Sequence, residues 1–161
     1  MKVFIGIDPG LNHIAAAGIS LDGSLSFHIL EEVNAGERTA GGYVAAALKV
    51  YEQLSPYIED SAVAVEQMVH IDKWRKRKNS DPNDLISLAY LSGAILDKLV
   101  EADRVTLVTP MTWKGNTPKK VMQNRLERDY GVELEREYGS TLAHNVYDAI
   151  GIAKWARENL S

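Results

Sequence analysis

The 161-residue chain contains no cysteine. That excludes disulfides, zinc–thiolate sites and thiol nucleophiles, and it is compatible with a reducing compartment. No stretch approaches the ~20 apolar residues that a membrane helix needs. The opening MKVFIGIDPG is apolar too briefly for a signal peptide, and an aspartate interrupts it. There is no internal repeat, no low-complexity segment, no GxxxxGK(S/T) phosphate loop and no HExxH zinc motif. What is present is a chain that is 45% hydrophobic, enough for a core, and of single-domain length. The expectation is one soluble cytoplasmic domain spanning residues 1–161. Net charge is −4, but it is unevenly spread. From Lys73 to Arg128 there are 12 Lys/Arg against 6 Asp/Glu, leaving 6 and 16 elsewhere. Such asymmetry suits a basic working surface on an acidic body, although an ordinary solvated surface explains it as well.

Hydrophobic patterning predicts an α/β order. Lys2 to Asp8 reads as a strand ended by Pro9-Gly10, and Asn12 to Leu21 as a second. Asp22-Gly23 is a hairpin signal before a third strand, Leu25–Leu30. A helix is expected over Ala40 to Ile58, with Val44, Leu48, Tyr51 and Leu54 on one face and Pro56 shortening its end. Ala62 to Gln67 has the composition of a strand buried on both faces. Asn83 to Val100 is a strongly apolar helix, Arg104 to Thr109 a strand stopped by Pro110. Thr117 to Tyr130 is a helix stopped by Gly131, and Asn145 to Asn159 a final helix. Three antiparallel strands followed by alternating helices and strands imply a mixed five-stranded sheet: a meander, then two parallel strands, with helices on both faces.

Three carboxylates stand at element ends beside apolar sequence. Asp8 closes the first strand, Glu66 closes AVAVE, and Asp148 lies in the apolar helix HNVYDAIGIAKWA, with His144 and Asn145 one turn earlier. Taken singly, each has a plain structural explanation: a turn cap, a strand-edge carboxylate, a helix-start cluster. Brought together they would repel one another unless cations held them. Mg²⁺ and Mn²⁺ suit carboxylate and water ligands, and a pair of such ions can hydrolyse a phosphodiester.

The pieces IGIDPGLNHIAAAGI, AVEQ and HNVYDAIGIA resemble, in order, the motifs of RuvC-type Holliday junction resolvases. This resemblance implies an RNase H-like fold, a homodimer, two Mg²⁺ (or Mn²⁺) ions per active site and symmetric nicking of four-way DNA junctions. Asp8, Glu66 and Asp148 match the family's first, second and last acidic residues. Two departures stand out. The bacterial enzymes have a further acidic residue where this chain has Asn145. His144 is therefore the first candidate for ligand or proton-transfer group, and Asn145 the second. The family's aromatic three residues after the glutamate is here Val69, with His70 or Trp74 as substitutes for stacking. The short, divergent chain looks more like a phage-encoded member than a housekeeping bacterial one, acting in recombination or repair.

Two basic segments complete the reading. Lys73, Arg75, Lys76, Arg77 and Lys78 surround Trp74, a combination that grips phosphates and stacks on bases. Lys114, Lys119, Lys120, Arg125 and Arg128 form the second. There PMTWKGNTPKK resembles the family segment that supplies lysines near the scissile phosphate, Lys114 first, then Lys119 or Lys120. Apolar residues around much of the Asn83–Val100 helix offer a twofold dimer contact. The competing readings are an RNase H-like nuclease for RNA–DNA hybrids or flaps, and a non-catalytic module that binds branched DNA. GIDPG also resembles the start of actin/Hsp70-like ATPases, whose two duplicated domains do not fit in 161 residues.

Overall fold

The computed structural model describes residues 2–33, 39–67 and 82–161, with Pro82 described in its backbone alone. Five strands form one sheet: β1 (Val3–Pro9), β2 (His13–Ser20), β3 (Leu25–Glu32), β4 (Ala62–Glu66) and β5 (Arg104–Val108). Their order is β3-β2-β1-β4-β5, antiparallel from β3 to β1 and parallel from β1 to β5. The helices are α1 (Ala40–Ile58), α2 (Pro82–Lys98), α3 (Pro110–Lys114), α4 (Lys119–Tyr130), α5 (Leu134–Tyr138) and α6 (Ala143–Leu160). The mixed sheet expected from the patterning is therefore present, and α3 and α5 are two short additions to the expected helices.

Period-two alternation along the central strands assigns each residue a side of the sheet. Val3, Ile5 and Ile7 of β1, with Val63 and Val65 of β4, join one core with Leu54 and Ile58 of α1, Leu91 and Ile95 of α2, and Leu99 just beyond it. Phe4, Ala62, Ala64 and Val108 face the opposite side, against Ile152, Ala156 and Leu160 of α6. Ala15, Ala17 and Ile19 of β2 continue that second face under Ala149, Ile150 and Ala153. Small residues let α6 lie close to the sheet, and Gly6 is the extreme case. A Cβ at Gly6 would stand 2.3 Å from both the Ala149 carbonyl oxygen and the Ala153 nitrogen.

Local signals set the ends. Asp22 Oδ1 accepts from the Ser24 amide at 2.9 Å, and Gly23 adopts φ 93° in the β2–β3 turn. Gly131 ends α4 in the left-handed conformation, its amide donating to the Glu127 carbonyl at 2.8 Å. Two expectations need correction. Val44 and Leu48 are 51% and 42% exposed. The buried stripe of α1 is instead Tyr43, Ala46, Ala47, Val50, Leu54 and Ile58, and the close neighbour of α1 is α2. Nor does Pro56 shorten α1, which runs on to Ile58. The Glu52 carbonyl, which Pro56 cannot serve, accepts the Ser55 hydroxyl at 3.0 Å instead. Among the described residues no helix is long and apolar enough to cross a membrane.

Candidate active site

The parallel β1–β4 register ends at Ile7↔Val65, so Asp8 and Glu66 follow side by side at the carboxyl ends of adjacent strands. Alternation turns both toward the α6 side, as Phe4 and Ala62 are turned. The crevice beyond the carboxyl ends of parallel strands is where open α/β sheets bind ligands. Asp148 reaches the same place from α6, two turns of which Gly6 admits against β1.

The three carboxylates feel one another. Asp8 keeps some solvent contact yet is densely surrounded by protein. That desolvation, reinforced by the charges of Glu66 and Asp148, pushes its carboxyl well above the ordinary range, against the opposing pull of Lys114. Desolvation also raises Glu66, opposed first by a hydrogen bond from Trp113 and then by the charge of Lys114. Asp148 is raised by desolvation and held back by Lys114, then His144, then Lys119.

Lys114 and Trp113 come from α3, a single turn that hydrophobic patterning does not announce. Thr109 caps it, its Oγ1 accepting from the Thr112 amide at 3.2 Å, and Pro110 occupies the first turn. The signal was present as Thr109-Pro110. This single turn swings Lys114 Nζ to 3.7 Å from Asp148 Oδ2. It also brings Trp113 Nε1 to donate to Glu66 Oε2 at 2.6 Å. Trp113 carried no role in the sequence analysis. A half-buried indole N–H calls for an acceptor, but which one depends on tertiary contacts.

The remaining candidates divide. His144 and Lys119 act electrostatically on Asp148 and so belong to the cluster. Asn145 sits half-buried at the start of α6. Lys120 is turned to Glu135, with Nζ 3.9 Å from Oε1, and Arg128 to Asp129 at 2.9 Å. Arg125 lines a groove with Trp113, Lys114, Lys154, Trp155 and Glu158. Lys73, Trp74, Arg75, Lys76, Arg77 and Lys78, like Val69 and His70, lie outside the described residues.

The donor set suits a hard divalent cation. Desolvated carboxylates that raise one another's proton affinity gain most from a cation between them, and oxygen ligands are what Mg²⁺ and Mn²⁺ prefer. Among the described residues no three His, Asp or Glu side chains converge into a closed metal-ligand group. Lys114 supplies the nearest compensating charge instead.

No protein-family model matches the chain, and no curated protein matches its sequence. Solved structures do match. The chain is 22% identical to Thermus thermophilus RuvC in complex with Holliday junction substrate, with a TM-score of 0.73 over 99% of this chain and 97% of that one. A second Thermus thermophilus RuvC structure gives 23% identity and 0.68, covering 98% and 96%. The yeast mitochondrial Holliday junction resolvase Ydc2 gives 12% identity and 0.66, covering 97% and 77%. The chain thus has the RNase H-like fold in the form these proteins share.

Proposed function

We propose that this protein is a structure-selective endonuclease that cuts four-way DNA junctions, and other branched DNA, by divalent-metal-dependent hydrolysis. The observation that carries the reading is that desolvated Asp8, at the end of β1, is within electrostatic reach of Glu66 and Asp148, with Lys114 Nζ 3.7 Å from Asp148 Oδ2. The RNase H-like fold shared with two RuvC structures and Ydc2 along nearly the whole chain supports it.

Asp8, Glu66 and Asp148 would hold two Mg²⁺ or Mn²⁺ ions, with His144, or in its place Asn145, completing the set. When bound, such ions activate a water and stabilise the leaving 3′-oxygen of a phosphodiester. The chain's own groups do the rest. Lys114 and Lys119 present positive charge where the phosphate gains negative charge. His144, next to Asp148, is placed to move a proton. The basic segment Lys73, Trp74, Arg75, Lys76, Arg77 and Lys78 begins seven positions after Glu66 in sequence and is suited to grip the junction strands.

Symmetric cutting asks for two sites, hence a homodimer. In support, α2 exposes Ile86 and Tyr90 beside the exposed Val44 of α1. Action in the cytoplasm of a bacterial or phage-infected cell, in recombination or repair, follows from the same reading, as does a single nuclease domain spanning residues 1–161.

Asp8→Asn, Glu66→Gln and Asp148→Asn are each expected to slow cutting of a labelled four-way junction by more than about 10²-fold. Gel-shift affinity in Ca²⁺ should stay near that of the parent. Cutting retained in any one variant would remove that residue from the catalytic set.

A further inference from the structure

Trp113 joins three parts of the site that come from three separate elements. Its indole Nε1–H donates to Glu66 Oε2, at the end of β4, at 2.6 Å. Its ring face lies under the Lys114 ammonium, with Nζ 4.6 Å from the ring centroid. Its edge is seated on α6 at Gly151, where a Cβ would stand 2.5 Å from Trp113 Cζ3. Gly151 lies three residues from Asp148 on that helix, so the seat and the carboxylate share one turn.

We propose that Trp113 is a positioning residue for the carboxylate site, fixing the orientation of Glu66 through its N–H and the place of Lys114 through its ring. The inference rests on the metal-dependent nuclease reading above. A hydrogen bond to one carboxylate oxygen fixes how the group turns about its last bond and leaves Oε1 as the oxygen free to face a cation. Outer partners of this kind orient metal ligands, and losing them costs 10–100-fold in metal affinity or activity. The ring contact does the matching task for the cation. An ammonium over an indole face gains electrostatically and is kept from the many rotamers of a free lysine. Held there, Lys114 stays 3.7 Å from Asp148. Glycine at position 151 is what allows the indole to come close enough to α6 to serve both groups at once.

Trp113→Phe keeps an aromatic face for Lys114 and removes the N–H. Replacing Trp113 by 3-benzothienylalanine removes the N–H with the ring shape unchanged, which separates the hydrogen bond from packing. Gly151→Ala leaves the indole intact but unseats it. Because alanine favours a helix over glycine, that variant should not weaken α6 itself. Two quantities are read for each variant: Mn²⁺ affinity of the metal-free protein from the EPR signal of free Mn²⁺, and kcat and KM for a labelled four-way junction. The expected result is a fall in Mn²⁺ affinity or in kcat of about 10–100-fold with KM for the junction within about twofold of the parent. Parent-like Mn²⁺ affinity and kcat in the benzothienyl variant would overturn the proposal. So would a rise in KM alone, which would make Trp113 a DNA contact. A parent protein that neither binds Mn²⁺ nor cuts would remove the nuclease reading and this inference with it, whereas a parent that does both with unaffected variants removes only the inference.

Discussion

Asp8 is the carboxylate on which both others of the site act. Its carboxyl is desolvated and faces Glu66 and Asp148, with Lys114 as the opposing charge. The same three carboxylates hold protons more tightly in the folded protein than in the unfolded chain, where an aspartate titrates near 3.8. Their contribution to stability is therefore fully present below that pH and is lost as the pH rises through the higher folded-state values. In EDTA, the melting temperature should fall from acid toward neutral pH. Asp8→Asn should flatten that fall and raise the melting temperature at pH 7, because the amide has no charge to desolvate. Asp22 and Asp129 have lowered pKa values and act in the opposite sense, but both lie at the surface and are common to parent and variant. Thermal melts of both proteins across pH check this. A variant that is less stable than its parent at pH 7 contradicts it. Asp8, Glu66 and Asp148 were legible in the sequence because a charge inside apolar sequence is anomalous and demands a partner. Trp113 was not, because an aromatic beside a lysine looks the same whether it packs in a core or braces a carboxylate.

At the scale of elements, the site depends on how closely α6 lies on β1. Strand boundaries, the Asp22-Gly23 hairpin and the Gly131 stop were readable because alternation and turn chemistry are local. The buried face of α1 differs from the expected one because the covered side of a helix is set by its tertiary neighbours: α1 packs closely on α2, burying Ala46 and Ala47 and leaving the larger Val44 and Leu48 exposed. The single turn α3 escaped because five residues show no periodicity. Gly6 is where element packing and chemistry meet. Gly6→Ala forces a methyl against the backbone of α6, which should cost about 1–3 kcal/mol and lower the melting temperature by roughly 2–12 °C. It should also reduce cutting at temperatures where the variant is fully folded, since it pushes Asp148 away from Asp8. Calorimetry with a parallel cleavage assay checks both effects, and unchanged stability would mean that α6 does not lie as close to β1 as described.

For the whole molecule, net charge is acidic, yet among the described residues of the basic middle Lys114 and Lys119 bring positive charge to the carboxyl ends of the parallel strands. Lys114 and Lys119 bear on Asp148, and Arg125 lines the adjoining groove. The fold class was readable from element order alone, whereas substrate choice is set by the assembled surface and by how two copies pair. The central claim is that this surface and these carboxylates cut branched DNA. The most direct measurement is cleavage by the parent protein of a labelled four-way junction beside duplex, flap and RNA–DNA hybrid, each in Mg²⁺, Mn²⁺ and EDTA. Metal-dependent paired nicks near the crossover of the junction, absent in EDTA and weak on the other substrates, are the predicted result. Preferential cutting of hybrid or flap would contradict the junction assignment, and junction binding without cutting in either metal would contradict the nuclease itself.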